Sequence, residues 1–158
     1  MTPRHHHDRN DAPDRVAAQD AYDELASYTF TLGDADFIHQ HIVDAFAVQH
    51  ATETTKPITV AFALIGLYLH VERGFTGRQV QRAHMILARR SRHWPTFKPP
   101  DLRGTMTAAD VLAIPPGPAR DRAITAWCTS VWTACTELAP DVAALAREHG
   151  LHAWAPSE

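Results

Sequence analysis

The sequence predicts an all-α fold, a single-domain helical bundle of about five to seven helices, on three observations. Apolar residues recur at helical spacing between breaks rich in proline, glycine or threonine. No stretch alternates with period two over a useful length, so no sheet is expected. The chain has 158 residues, 45 % hydrophobic and 21 % charged, and so can bury a core without disulfide or metal staples.

Residues 1–13 are polar, carry Pro3 and Pro13 and the run His5–His7, and read as a disordered tail before a helical domain over 14–155. The first helix is expected from Asp14 to Ser27, with Val16, Tyr22 and Leu25 as its periodic apolar residues. Leu32-Gly33-Asp34 breaks it, and Asp34 suits the N-cap of a second helix running to about Thr52. Pro57 opens a third, Ile58–Val71, which is apolar on nearly every side and so belongs inside the bundle; Gly74 ends it. Thr76 can cap the next, Gly77–Arg92, with Val80, Ala83, His84 and Leu87 on one face and Arg78, Arg82, Arg89 and Arg92 on the other. After the proline- and aromatic-rich loop His93–Pro100, Thr107 opens a short helix, Ala108–Ile114. Pro115-Pro116-Gly117-Pro118 is a hard break. A long helix, Ala119–Leu138, then buries Trp127, Val131, Ala134 and Leu138, and Pro140 starts a last one ending near Gly150.

Composition narrows the function classes. The longest uncharged apolar run, Pro57 to Leu69, is too short to span a bilayer, and the polar N-terminus has no signal core. The expectation is a cytoplasmic protein with no membrane partner. Cys128 and Cys135, seven residues apart on a helix, sit roughly 10 Å apart, too far for a disulfide, and two thiols are too few for a cysteine zinc site. From Arg73 to Arg103, eight Lys or Arg stand against the single acid Asp101, in a chain of net charge −3. That arginine face, with Trp94 and Phe97 nearby, permits an anionic or nucleic-acid partner, but total charge is acidic and no binding motif appears. A solvated helix face with the loop packed down is the preferred reading, so nucleic acid is not the expected partner.

The candidate site lies in Phe37–His50, FIHQHIVDAFAVQH. Ile42, Val43, Phe46 and Ala47 form one face, His39 and His50 project from it, and Gln40 and Asp44 stack at i, i+4 on its flank. Polar groups on a core-facing stripe need partners. With consecutive antiparallel hairpins, His39 is level with Leu69–Glu72, and His84 is level with Gly66, itself near Ile42–Asp44; Gly66 leaves space there. This gathers His39, Asp44, Glu72 and His84. His50, roughly 16 Å along the helix from His39, stands apart.

Two imidazoles with one or two carboxylates and no thiolate suit Zn²⁺, Mn²⁺ or Fe²⁺ and can activate water or dioxygen. One reading is therefore a metal-dependent enzyme, a hydrolase or oxygenase acting on a small molecule. In it His39, His84 and Asp44 or Glu72 hold the ion, and the other carboxylate serves as base. Gln40 and Gln49 donate behind the ligands, and the Trp94–Pro100 loop closes over the site. The other is a non-enzymatic interaction or scaffold protein, with His39, Asp44 and Glu72 in a buried network with Arg73 or Tyr68. No E-x-x-H or H-E-x-x-H spacing is present to favour metal. His41 and His70 receive no role, and His50 is most simply a partner for the last carbonyls of its helix.

One resemblance bears on these readings. His39-Gln40…Val43-Asp44-Ala45-Phe46…Gln49-His50 and Glu72-Arg73-Gly74 are similar to a bacterial domain-of-unknown-function family of small helical proteins. Tyr22…Glu24, Trp94-Pro95, Pro99-Pro100, Gly104…Thr107…Asp110-Val111 and Trp127…Ser130-Val131-Trp132 fit it too, so the resemblance spans about Tyr22 to Ala134. It implies an all-α fold and makes Asp44, His50 and Glu72 motif positions, which adds His50 to the candidate metal ligands. It implies no activity. A C-x-x-C segment and a further Cys-Trp precede the first helix in that family, whereas positions 1–21 here hold no cysteine, so a metal site built on those thiols is absent.

Overall fold

A helix with no polar face has to be surrounded, and α3 (Pro57–Arg73) is: Val60, Leu64, Ile65, Leu67 and Leu69 are all buried. The computed structural model describes residues 11–90 and 93–151, and these are all-helical. Around α3 pack α2 (His39–Gln49), α4 (Gly77–Arg90), α6 (Pro118–Ala134) and α7 (Ala139–Glu148); α1 (Asp11–Thr31) and α5 (Ala108–Leu112) close the side of α2 and α6. His41 of α2 meets His70 of α3 and Asp44 meets Gly66, so these two helices run antiparallel, as their short connection favours. Trp127 and Trp132 are core, and Cys128 and Cys135 are buried free thiols. Burial pushes the Cys135 thiol up to about 11 and that of Cys128 higher still.

The helix boundaries moved where tertiary contacts reached past the local signals. Helix α1 starts at Asp11 and runs past Ser27 to Thr31, because Tyr28 and Thr29 find partners across the fold: Tyr28 OH donates to Asp121 at 2.8 Å, and Thr29 is buried against His39. Helix α2 begins at His39 rather than near Asp34. Phe37 adopts a left-handed conformation (φ 55°), and Asp34 caps the turn through Oδ2, which accepts from the Ile38 amide at 2.9 Å. Thr76 caps α4 as expected, and Gln79 returns the bond; Thr107 with Asp110 makes a full capping box on α5. The predicted helix 119–138 is shorter than expected: α6 stops at Ala134, and after a turn over 135–138 the predicted last helix begins as α7 at Ala139.

Among the described residues no helix is long and apolar enough to cross a membrane. The His5–His7 run, Arg92 and the last residues of the expected domain, 152–155, lie outside the described residues. Arg82, Arg89 and Arg90 are exposed, whereas Arg78 lies over the Phe37 ring at 4.7 Å and donates to Gln81.

Candidate functional site

The five predicted ligands do not converge. Among the described residues no group of three or more His, Cys, Asp or Glu stands close enough to hold a metal ion. His39 stacks on Phe30 (3.8 Å), and its Nδ1 lies 2.8 Å from Thr29 Oγ1. Thr29 gives its own proton to the Ala26 carbonyl, so His39 Nδ1 is the donor. His84 stacks on Phe62, and its Nε2 donates to the Phe62 carbonyl at 2.8 Å. It is thus one turn away from the predicted level at Gly66. Glu72 is exposed and accepts from Trp132 Nε1 at 2.9 Å rather than joining a network with Tyr68. Burial lowers the pKa of both His39 and His84, which favours neutral rings.

Asp44 does lie where depth counting put it. The space beside Gly66 is filled by its carboxyl group, so closely that a Cβ on Gly66 would sit 2.0 Å from Oδ2. Gln40 Nε2 donates to Oδ1 at 3.1 Å, while Oδ2 is buried with no hydrogen-bond partner among the described residues. Desolvation raises the pKa well above the usual carboxylate range, and the Gln40 bond only partly opposes this. Burial therefore favours the neutral form of the Asp44 carboxyl, held in a tight slot against Gly66.

One turn further along the same seam lie the two histidines given no role from sequence. His41 and His70 stack with ring centroids 3.5 Å apart and 18° between planes. His70 Nδ1 donates to the Phe75 carbonyl at 3.0 Å, leaving Nε2 with a lone pair. His70 Nε2 and His41 Nδ1 are both buried without a partner among the described residues. Burial, reinforced by His70, lowers the His41 pKa to about 3. The missed signal was the i, i+3 spacing of His41 and Asp44, which puts both on the side of α2 that meets α3.

The C-terminal end of α2 is built in the opposite way. Gln49 spends its whole amide: Nε2 donates to the carbonyls of Met106 (2.7 Å) and Arg103 (3.1 Å), and Oε1 accepts from Trp127 Nε1 (3.1 Å). Arg103 returns the tie, its Nη1 donating to the carbonyls of Val48 (2.8 Å) and Gln49 (3.4 Å) and its Nε to that of Pro100. Ser130 Oγ accepts from the amides of Thr105 (2.6 Å) and Met106 (3.2 Å). Gly104, at φ 96°, passes so near Ser130 that a Cβ would lie 2.7 Å from Oγ. The loop before α5 is thus clamped to α2 and α6. The Trp94 end packs edge-on against Phe62 (4.8 Å), the α3 ring on which His84 of α4 stacks.

His50, just past α2, borders the open space that this clamp creates. It lines a cavity of about 650 Å³ together with Asp14, Arg15, Gln19, Asp101 and Arg103, and a second of about 220 Å³ beside α1 and α5. One side of its ring rests on Phe46 (4.2 Å), which itself stacks on Tyr22 (4.2 Å, 23°). Burial and the Arg103 guanidinium lower its pKa, so the ring is neutral near pH 7 and can accept a proton.

Fold and site together define an all-helical domain with a buried, solvent-shielded polar seam and a separate open cleft at one end of it. The chain belongs to a family of unknown function, DUF5946, whose model matches residues 12–136. No curated protein and no solved structure matches it.

Proposed function

We propose that the protein is a small-molecule-binding domain whose site is the cleft around His50. One observation carries this reading. Of the predicted ligands, His39, Asp44, Glu72 and His84 each give an atom to a partner inside the fold, whereas His50 lines both cavities of the cleft. The larger cavity falls in the range of ligand pockets, and it sets a neutral imidazole beside a cation fixed by backbone carbonyls. A neutral imidazole with a fixed guanidinium suits proton abstraction from a bound molecule, with Arg103 balancing the anion formed. An enzymatic version of the reading therefore makes His50 the base, in place of Glu72 or Asp44.

The test is ligand-observed NMR screening of a fragment library, followed on the protein by the ring-proton resonances of His50. Hits that shift His50 and are lost in His50→Ala support the reading. Hits that leave His50 unmoved, or a screen with no hits, sink it.

A second reading, a non-enzymatic interaction protein, draws on those same four residues being used within the fold. The metal-dependent version of either reading is tested by elemental analysis of protein freed of residues 1–13 and purified without a metal-affinity step. Near-stoichiometric zinc, iron or manganese, lost in His84→Ala, would restore the predicted ligand set. Metal lost in His50→Ala instead would move the ion to the cleft.

A further inference from the structure

The make-up of the cleft says what kind of molecule would fill it, provided that the His50 cleft is the binding site. Three features bear on this. The first is a column of rings, Tyr22 on Phe46 at 4.2 Å and Phe46 against His50 at 4.2 Å, whose last two members line the 650 Å³ cavity. Such a column offers a flat, polarisable surface to a further ring, and stacking on it tolerates any planar π system. The second is Arg103, whose Nε and Nη1 are held by the carbonyls of Pro100, Val48 and Gln49, so the guanidinium is oriented before a ligand arrives. Arg15 lines the same cavity. The third is a pair of carboxylates in that lining, Asp14 and Asp101, from two separated parts of the chain.

Two cations and two carboxylates leave the cleft with no net charge while His50 is neutral. A simple anion would meet the carboxylates, and a simple cation the guanidinia, at a cost in either case. A molecule bearing both an anionic group and N–H donors satisfies both pairs. A planar ring between those groups also uses the aromatic column.

We propose that the cleft binds a planar heteroaromatic molecule that carries N–H donors and an anionic group. The ring packs over His50 at the open end of the column, the anion meets Arg103, and the donors meet Asp14 and Asp101. Two sources share this chemistry, a nucleoside monophosphate with an exocyclic amine and an aromatic amino acid. The cavity volume accommodates either.

Isothermal titration calorimetry of the full chain decides it, with AMP and L-tryptophan as whole ligands. Adenosine and ribose 5-phosphate serve as the halves of the first, and indole and glycine as those of the second. The expected result is saturable binding of AMP or of tryptophan, at least tenfold tighter than either of its halves, and at least tenfold weaker in His50→Ala. Asp101→Asn, away from the stacking surface, should weaken the whole ligand and leave ribose 5-phosphate unchanged. Binding of ribose 5-phosphate as tight as that of AMP, with glycine as tight as tryptophan, would overturn the role of the ring. Adenosine and indole binding as tightly as the whole ligands would overturn that of the anion. Binding of neither AMP nor tryptophan overturns the proposed ligand class. The fragment screen tests the cleft independently of that result, because its hits need not share this chemistry.

Discussion

The two ends of α2 solve the same problem in opposite ways. Both place polar side chains against the core. At the C-terminal end every polar atom of the Gln49 amide is matched, and Ser130 and Arg103 tie the loop before α5 to two helices. In the N-terminal half, Asp44 Oδ2, His41 Nδ1 and His70 Nε2 are buried without partners among the described residues. A buried hydrogen bond contributes about 1 kcal/mol, whereas a buried unmatched group costs about 1–3 kcal/mol. One end of α2 is therefore a stabilising clamp, and the other holds a cost that the apolar packing of α3 offsets. The clamped end also opens on a cavity, at His50.

The largest test of this contrast is Gly66→Ala. In an ordinary helix interior the change stabilises by about 1 kcal/mol. Here the new Cβ would press on the Asp44 carboxyl, and the protein should lose about 3 kcal/mol, read by urea denaturation. Asp44→Ala removes the obstacle, so the double variant should recover most of that loss. Simple additivity of the two changes would show that the contact does not set the fit.

Gln49→Ala should cost about 2 kcal/mol, since it strands the Trp127 indole N–H and two carbonyls. Amide exchange near Met106 should speed up with it. A loss without faster exchange there would mean that Gln49 packs rather than clamps.

Asp44→Asn should act in the other direction. A carboxyl whose folded pKa is raised contributes stability below its unfolded pKa and loses it as pH rises towards the folded value. The amide keeps the Gln40 bond without a proton to hold, so the variant should gain about 1 kcal/mol at pH 8 and less at pH 4. Thermal melts at the two pH values check this.

His41→Phe probes the same seam from the acid side. The folded His41 pKa is depressed to about 3 from 6.5, so its neutral form contributes stability above 6.5 that is lost as pH falls towards 3. Replacing it with a ring of similar shape should leave neutral-pH stability nearly unchanged and move the acid-unfolding midpoint down by about half a pH unit. Smallest of all, Glu72→Gln should change stability by less than about 0.5 kcal/mol, because the amide oxygen still accepts from Trp132.

The sequence by itself determined the all-α class, the internal position of α3, the capping of α4 and α5 and the burial of Trp127 and Trp132. Each of these follows from short-range rules, helical periodicity and side chains that cap their own turn. It also brought Asp44 to Gly66, because a short connection between antiparallel helices ties depth to chain distance. Tertiary structure decided the rest of the site. His39, His84 and Glu72 reach Thr29, Phe62 and Trp132, partners set by helix rotation and by a distant helix, α6, which depth counting does not register. The stack of His41 on His70 turns on the same rotation. The cleft at His50 depends on Asp14 and Arg103, far away in the chain, and on a loop held in place by Gln49, and no local pattern encodes where such a loop comes to rest.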